Sequence, residues 1–305
     1  KKLYFCGMKK TAIFLIFIFS LSFLSGQNIN SDEENIRNLK QGVDFSIAGG
    51  VFFSNFYTAA YYNGSATNEN NLNYIFNNYS WKQSIDNLIT SNNHFISGSD
   101  PQIKLAELPK KMRYSPGFFI QLGVKYRFNE SWGISLNYSF ARLKAADVFS
   151  VTFNKTVPGN DTPDYLLYDI VGIENRSFFD LNAIYLFKTK SIVEPFIELG
   201  GQFNFVRVKS FNAYIEGQKF SLLDIYGGST YVANTNMQTF DTKYGGAGFG
   251  VSSAVGIKLA FNPIISIDPT CYVTAAKYGL KGYKDFTFNY GFMIRIVVND
   301  SFFGK

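Results

Sequence analysis

From Asp285 to Val298 the chain is apolar at every second position: Phe286, Phe288, Tyr290, Phe292, Ile294, Ile296 and Val298. Between them lie Thr287, Asn289, Gly291, Met293 and Arg295, mostly small or polar. A period of two held this long predicts a β-strand whose two faces meet different solvents. Its length suits the roughly 9–11 residues of a tilted transmembrane strand. The same alternation recurs seven times upstream. A strand near Val43–Tyr57 sets Phe45, Ile47, Val51 and Phe53 against Ser46, Ala48 and Gly50. Further strands are expected at Phe118–Phe128, from Trp132 through Phe140, at Ser177–Phe187, Pro195–Val208, Gly245–Phe261 and Ile265–Tyr278.

The connections alternate between tight and long. Asn129-Glu130-Ser131, Lys188–Ser191 and Asn262-Pro263 read as short turns, whereas residues 58–113, about 154–172 and about 211–243 read as loops. Short turns at one end and long loops at the other suit an outer-membrane barrel. An even strand number returns both termini to the periplasmic side, and strand one can pair with strand eight, which removes the sheet edges. The expected fold is therefore all-β: a transmembrane antiparallel up-and-down barrel of about eight strands with long extracellular loops, spanning residues 43–299. A loop-derived strand pair raising the count to ten is the alternative. Within the 58–113 loop, Tyr79–Ile89 predicts a short helix with Trp81, Ile85 and Leu88 on one side; disorder of the loop is the other reading.

On the face opposite the apolar one, Lys125, Arg127, Asp180, Glu198, Lys258, Asp268 and Arg295 form a candidate charge network. The interior of an eight-stranded barrel is just wide enough for side chains to fill it, and buried charges demand partners. A sealed, salt-bridged lumen is expected, with a narrow ion path as the alternative. Aromatic residues of the first loop, namely Tyr61, Tyr62, Tyr74, Phe76, Tyr79 and Trp81, are contact candidates for a protein or glycan; packing onto the barrel rim is equally compatible.

Composition removes most other chemistry. The single histidine, His94, leaves one possible base for a Ser-His-Asp triad, so no enzyme is expected, although some outer-membrane barrels modify lipids. No cofactor or metal site is expected; Asp161, Asp164 and Asp169 would make at most a weak Ca²⁺ site. The run Gly245–Gly250 is followed by alternating apolar residues and not by a Lys-Ser/Thr helix start, so it reads as strand and not as a phosphate loop.

Residues 8–26 read as a cleaved secretory leader with Lys9 and Lys10, an apolar run from Ala12 to Phe23 and small residues at Ser25-Gly26. Residues 1–7 read as an upstream extension and 27–42 as a polar periplasmic lead-in. Without Lys1, Lys2, Lys9 and Lys10, 25 basic and 23 acidic residues remain, a net +2 that gives no case for nucleic acid. Only Cys271 then remains, so no intrachain disulfide is possible.

The strands SIAGGVFFSNF, PGFFIQLGVKYRFNESWGISLNYSF, EPFIELGGQFNF, FGVSSAVGIKLAF and FTFNYGFMIRI resemble, in order, those of PorT-type outer-membrane β-barrel proteins of the Bacteroidota. A proline common in the family's fourth strand is missing near Ala183-Ile184, and the first loop is unusually long. Asn289, Gly291, Ile294 and Ile296 also resemble the C-terminal signal read by the outer-membrane assembly machinery. The resemblance implies fold and compartment, with some members assisting protein secretion, and carries no functional residues. The expected role is a non-enzymatic interaction or accessory subunit of an outer-membrane assembly, in contact with outer-membrane lipid and a protein partner. A narrow porin is the second reading and a lipid-modifying enzyme the third.

Overall fold

The computed structural model describes residues 42–68, 70–92, 103–153, 164–189, 193–223, 229–231, 238–240, 245–262 and 264–300. The leader, residues 27–41 of the lead-in, His94 and Asp161 lie outside these residues. The elements are β1 (Gly42–Phe53), α1 (Phe56–Ala59), a 3-10 turn (Ala60–Tyr62), α2 (Asn73–Asn77), α3 (Tyr79–Asn92), β2 (Lys104–Leu105), β3 (Gly117–Arg127) and β4 (Trp132–Phe153). They continue with β5 (Asp164–Leu186), β6 (Val193–Ile215), β7 (Gln218–Ser221), β8 (Ser229–Tyr231), β9 (Gln238–Phe240), β10 (Gly245–Ala260), β11 (Ile265–Ala276) and β12 (Thr287–Asn299).

Eight of these strands close a ring in the order β1-β3-β4-β5-β6-β10-β11-β12, with β12 returning to pair β1 from Asp44–Asn299 to Phe53–Tyr290. Every pairing in the ring is antiparallel. The ring count is eight, and β2 and β7 add to it only at the margins. Closure satisfies the backbone of every wall strand, which is the condition for a sheet to stand in lipid. Outside the wall, Leu136, Leu181, Leu199, Val251, Phe292 and Ile294 are exposed, and so is Cys271. An aromatic girdle lies at the short-turn end, where Trp132 meets Tyr185 at a tilt with centroids 4.8 Å apart, and Tyr185 meets Phe187 at 4.8 Å. A second girdle crosses the far side of this belt, with Tyr138 against Phe179 at 5.0 Å and Phe179 near Phe205. This is a transmembrane β-barrel.

Several strands exceed the sequence expectation. β4, β5 and β6 run 22, 23 and 23 residues, about twice what a membrane crossing needs. Residues 164–172, read above as loop, are strand, and so are 211–215, which turn back into β7 through Glu216 and Gly217 at positive φ. β1 instead stops at Phe53, because the Asn55 side chain accepts a hydrogen bond from Tyr57 N and caps α1.

The reason lies in a change of phase along the wall. In β4, Ile134, Leu136 and Tyr138 face outward while Ser135, Asn137 and Ser139 are buried inward. Past Ala141 the parity is unchanged but the chemistry inverts: Leu143, Ala145, Phe149 and Val151 are buried inward and Arg142 and Lys144 are exposed. The strand has left the lipid, so its outer face meets water and its inner face can build an apolar core. That core is supplied by the first connection, which is ordered where described. Tyr62, Leu72, Ile75, Phe76, Ile85 and Ile89 pack against Phe149, Tyr168, Phe211 and Ile215. The expected helix is present and extends to Asn92, with Ile85 and Ile89 buried and Trp81 against Phe220 at 5.6 Å. Gly172 admits the Tyr62 ring: a Cβ there would lie 2.1 Å from it. The barrel thus carries a crown of β2, β4, β5, β6 and β7 filled by α2 and α3.

The inversion yields a paired expectation. Leu136→Arg, on the lipid face, is expected to destabilise the barrel by roughly 2–4 kcal/mol in urea unfolding from lipid vesicles. Val148→Arg, outward in the crown, is expected to change stability by no more than about 0.5 kcal/mol. Equal costs at the two positions would place both in the same solvent and remove the boundary.

Candidate functional site

The ring of eight strands brings inward side chains into contact, and the lumen is filled in three layers. The first lies toward the short turns. Arg295 Nη1 donates to Glu198 Oε1 at 2.6 Å and Nη2 to Gln121 Oε1 at 3.0 Å; Lys125 Nζ lies 3.3 Å from Glu198 and 3.7 Å from Asp268. Arg295 and Lys125 also lie over the Phe196 ring, at 5.8 and 5.0 Å. Four of the seven charges expected in the network therefore meet here. Arg127 and Lys258 sit nearer the mouth, paired with Asp44 at 3.0 Å and Glu194 at 3.4 Å. The seventh, Asp180, stands one layer deeper and accepts from Gln202 Nε2 at 2.9 Å and Tyr272 OH at 3.2 Å.

The second layer is aromatic. Phe52, Phe119 and Phe178 come from three strands and meet with centroid distances of 5.7 Å (Phe52–Phe119) and 5.4 Å (Phe52–Phe178). Tyr272 closes the group at 5.7 Å from Phe119. All four are buried. An apolar plate across the channel imposes a desolvation barrier to an ion on top of its steric one.

The third layer is a second ion pair that the sequence reading did not include. Arg176 Nε donates to Glu174 Oε1 at 2.6 Å and Nη2 to Thr58 Oγ1 at 2.9 Å, with the guanidinium 4.0 Å from the Tyr278 ring centroid. Tyr62 OH donates to Glu174 Oε2 at 2.6 Å. Burial, reinforced by that carboxylate, pushes the Tyr62 hydroxyl well above the ordinary phenol range, so it stays a donor. This cluster joins the wall to the first connection: Thr58 and Tyr62 come from α1 and the turn after it, Glu174 and Arg176 from β5.

Of the six loop aromatics expected at a contact surface, Tyr61, Tyr62 and Phe76 are buried and serve packing instead, because the crown draws them inward. Trp81 is partly buried in the same core, while Tyr74 and Tyr79 stay exposed. Ile294 and Ile296 of the C-terminal motif face lipid. Asn289 of that motif is buried, donates to Tyr278 OH at 2.9 Å and accepts from Asn55 N at 2.8 Å, so it also ties β12 to the start of the plug. The glycine run lies in β10, where a Cβ on Gly248 would meet the Lys277 carbonyl oxygen at 2.1 Å, a contact only glycine allows.

A solvent-open recess of about 470 Å³ lies at the short-turn mouth, lined by Asp44, Lys125, Arg127, Trp132, Lys258 and Asp268 among others. It ends where Lys125 and Asp268 meet the first layer.

Two expectations follow from the layers. Replacing Arg295 with Met strands Glu198 beside Lys125 alone and is expected to cost about 3–5 kcal/mol in unfolding free energy, of which Arg295→Met/Glu198→Gln recovers part. Full additivity of the two substitutions would mean that they do not interact. The two tryptophans report separately, Trp81 from the plug and Trp132 from the girdle. Tyr62→Ala is expected to cost the crown about 3–5 kcal/mol, so the Trp81 fluorescence transition should move to lower urea while that of Trp132 holds. A joint shift of both would make plug and barrel one cooperative unit.

No protein-family model matches the chain, and no curated protein matches its sequence. Among solved structures it is similar to Neisserial surface protein A, with 11% identity and a TM-score of 0.39, covering 85% of this chain and 96% of that one. It is also similar to the outer membrane protein OprG from Pseudomonas aeruginosa (12% identity, TM-score 0.34, 85% and 94% covered). A third is Ail, the attachment invasion locus protein of Yersinia pestis (10%, 0.33, 86% and 99%). At these identities and scores no function carries over.

Proposed function

We propose that this protein is a non-enzymatic, integral outer-membrane barrel that acts as an interaction or accessory subunit of an outer-membrane assembly. The observation that carries the reading is the filled lumen: a charged layer, an aromatic plate and a second ion pair stand in series across it. A barrel so packed offers its partners a wall and a crown. The exposed residues Tyr79, Tyr165 and Leu167 decorate the outside of that crown and suit a protein contact. The likeness of the strand motifs to PorT-type proteins favours protein secretion as the process, and the leader-like N-terminal segment favours export to the outer membrane.

The test is purification of the tagged protein from its native outer membrane in mild detergent, with mass spectrometry of what accompanies it, followed by planar-bilayer recording. Stoichiometric partners and an electrically silent barrel are expected. A solitary barrel with unitary conductance steps would replace this reading with that of a narrow porin.

A further inference from the structure

The outer face of the wall carries a basic cluster where the strands leave the lipid belt. Arg142 of β4 and Arg207 of β6 flank Asn175 of β5 in a single cross-strand row. Two residues further up, Lys144 lies beside Ile173, and the β5–β6 register shift between Ile173 and Glu174 makes Lys209 the extra residue of a bulge, next to Arg207. All four cations are exposed. With strands about 4.8 Å apart and about 3.3 Å per residue, they fit a patch of roughly 10 by 7 Å.

Three features set this patch apart from an ordinary solvated face. The outward row directly beneath it is Phe140, Ser177 and Phe205, and the next is Tyr138, Phe179 and Phe203, so its height is that of the lipid headgroups. None of the four cations forms an ion pair among the described residues. No acid occupies an outward position in the same two rows. The first is Asp169, paired with Val148 higher in the crown, while Glu174 points into the lumen and is spent on Arg176. The rest of the rim is different: β10 presents Gly245 beside Arg207, and Lys277 lies over the Phe286 ring. Four like charges held this close, at this depth, favour an anionic ligand.

We infer that Arg142, Lys144, Arg207 and Lys209 form a binding site for phosphate-bearing headgroups of the lipid leaflet at the crown end of the barrel, with the acyl chains lying on the aromatic girdle below. Arginine forks donate two parallel hydrogen bonds to a phosphate and lysines add point charge. The site stands on the wall alone, so it holds whether or not a protein partner exists.

The test uses the full mature chain in neutral nanodiscs, titrated with a bis-phosphorylated lipid A, with the same lipid stripped of phosphate, and with inorganic phosphate, each at low and high salt. Wild type is expected to bind the phosphorylated lipid tightly and salt-dependently, and the other two weakly. With each cation near an anionic surface worth roughly a fivefold factor, the quadruple Gln variant is expected to lose on the order of a hundredfold or more. Arg142→Lys/Arg207→Lys keeps the charge and should stay within about tenfold, and Lys104→Gln/Lys219→Gln, higher in the crown opposite Thr152 and Tyr214, should bind as wild type. These two variants separate loss of the site from loss of the fold. Undiminished binding by a folded quadruple variant, or equal binding of the phosphate-free lipid, would overturn the assignment. Preference for a soluble polysulfated glycan over the lipid would overturn it too, in favour of a glycan surface.

Discussion

Hydrocarbon accepts no hydrogen bonds, and the rest of this molecule depends on that fact. An open edge at β1 or β12 would leave a column of N–H and C=O groups unsatisfied in lipid, so the two must meet, and they do so along β1 from Asp44 to Phe53. Once eight strands close, the bore is narrow enough that inward side chains must touch. Charges placed there have no water to fall back on and have to pair. Arg295 with Glu198, and Arg176 with Glu174, are thus consequences of closure as much as of sequence. Such pairs contribute little net stability, since desolvation consumes most of the Coulomb gain. What they supply is a penalty on any arrangement that separates them, which sets the register of β12 against β6 across the bore.

The same wall has a different core in each of its two solvents. Below Ala141 the apolar face is outside and the polar face inside; above it the order is reversed without a break in the strand. The cost of continuing β4, β5 and β6 into water is the exposure of an inner sheet face, and the first connection covers it. Helices α2 and α3 would not be stable alone, being short, and the upper sheet would not be stable bare. Each supplies the surface that the other needs to bury.

Much of this was legible. Alternation located all eight wall strands, and the seven lumen charges all lie on the inward face. Two things were not. The strand alternation was read with large apolar residues as outward only, so Phe52, Phe119 and Phe178 went unassigned. Each forms a Phe-Phe pair with an outward neighbour (Phe53, Phe118, Phe179), and such a pair in an alternating strand is the signal that both faces bury aromatics at that height. Residues 164–172 were read as loop because neither face is uniformly apolar there. Asn175, Asp169, Ile173 and Val171 alternate with Glu174, Arg176, Gly172 and Ile170, a pattern that makes sense only once Tyr62 and Thr58 arrive from more than a hundred residues away. Contacts of that separation leave no local period to detect.

The molecule is strongly one-sided. β4, β5 and β6 rise beyond the membrane, hold the plug and carry the basic row, whereas β11, β12, β1 and β3 end near the top of the lipid belt. A cation row fixed to headgroups on the tall side would set the depth of the barrel there, while the low side presents Phe56, Phe118, Phe286 and Phe288, all exposed, with Arg142 opposite Phe118 and Lys277 over the Phe286 ring. Lipid solvates such aromatics adequately, but a second apolar wall can do so without ordering acyl chains. If the barrel serves an assembly, the low wall is where a membrane-embedded neighbour can meet it without displacing the crown, which is left free to reach outward from the opposite side.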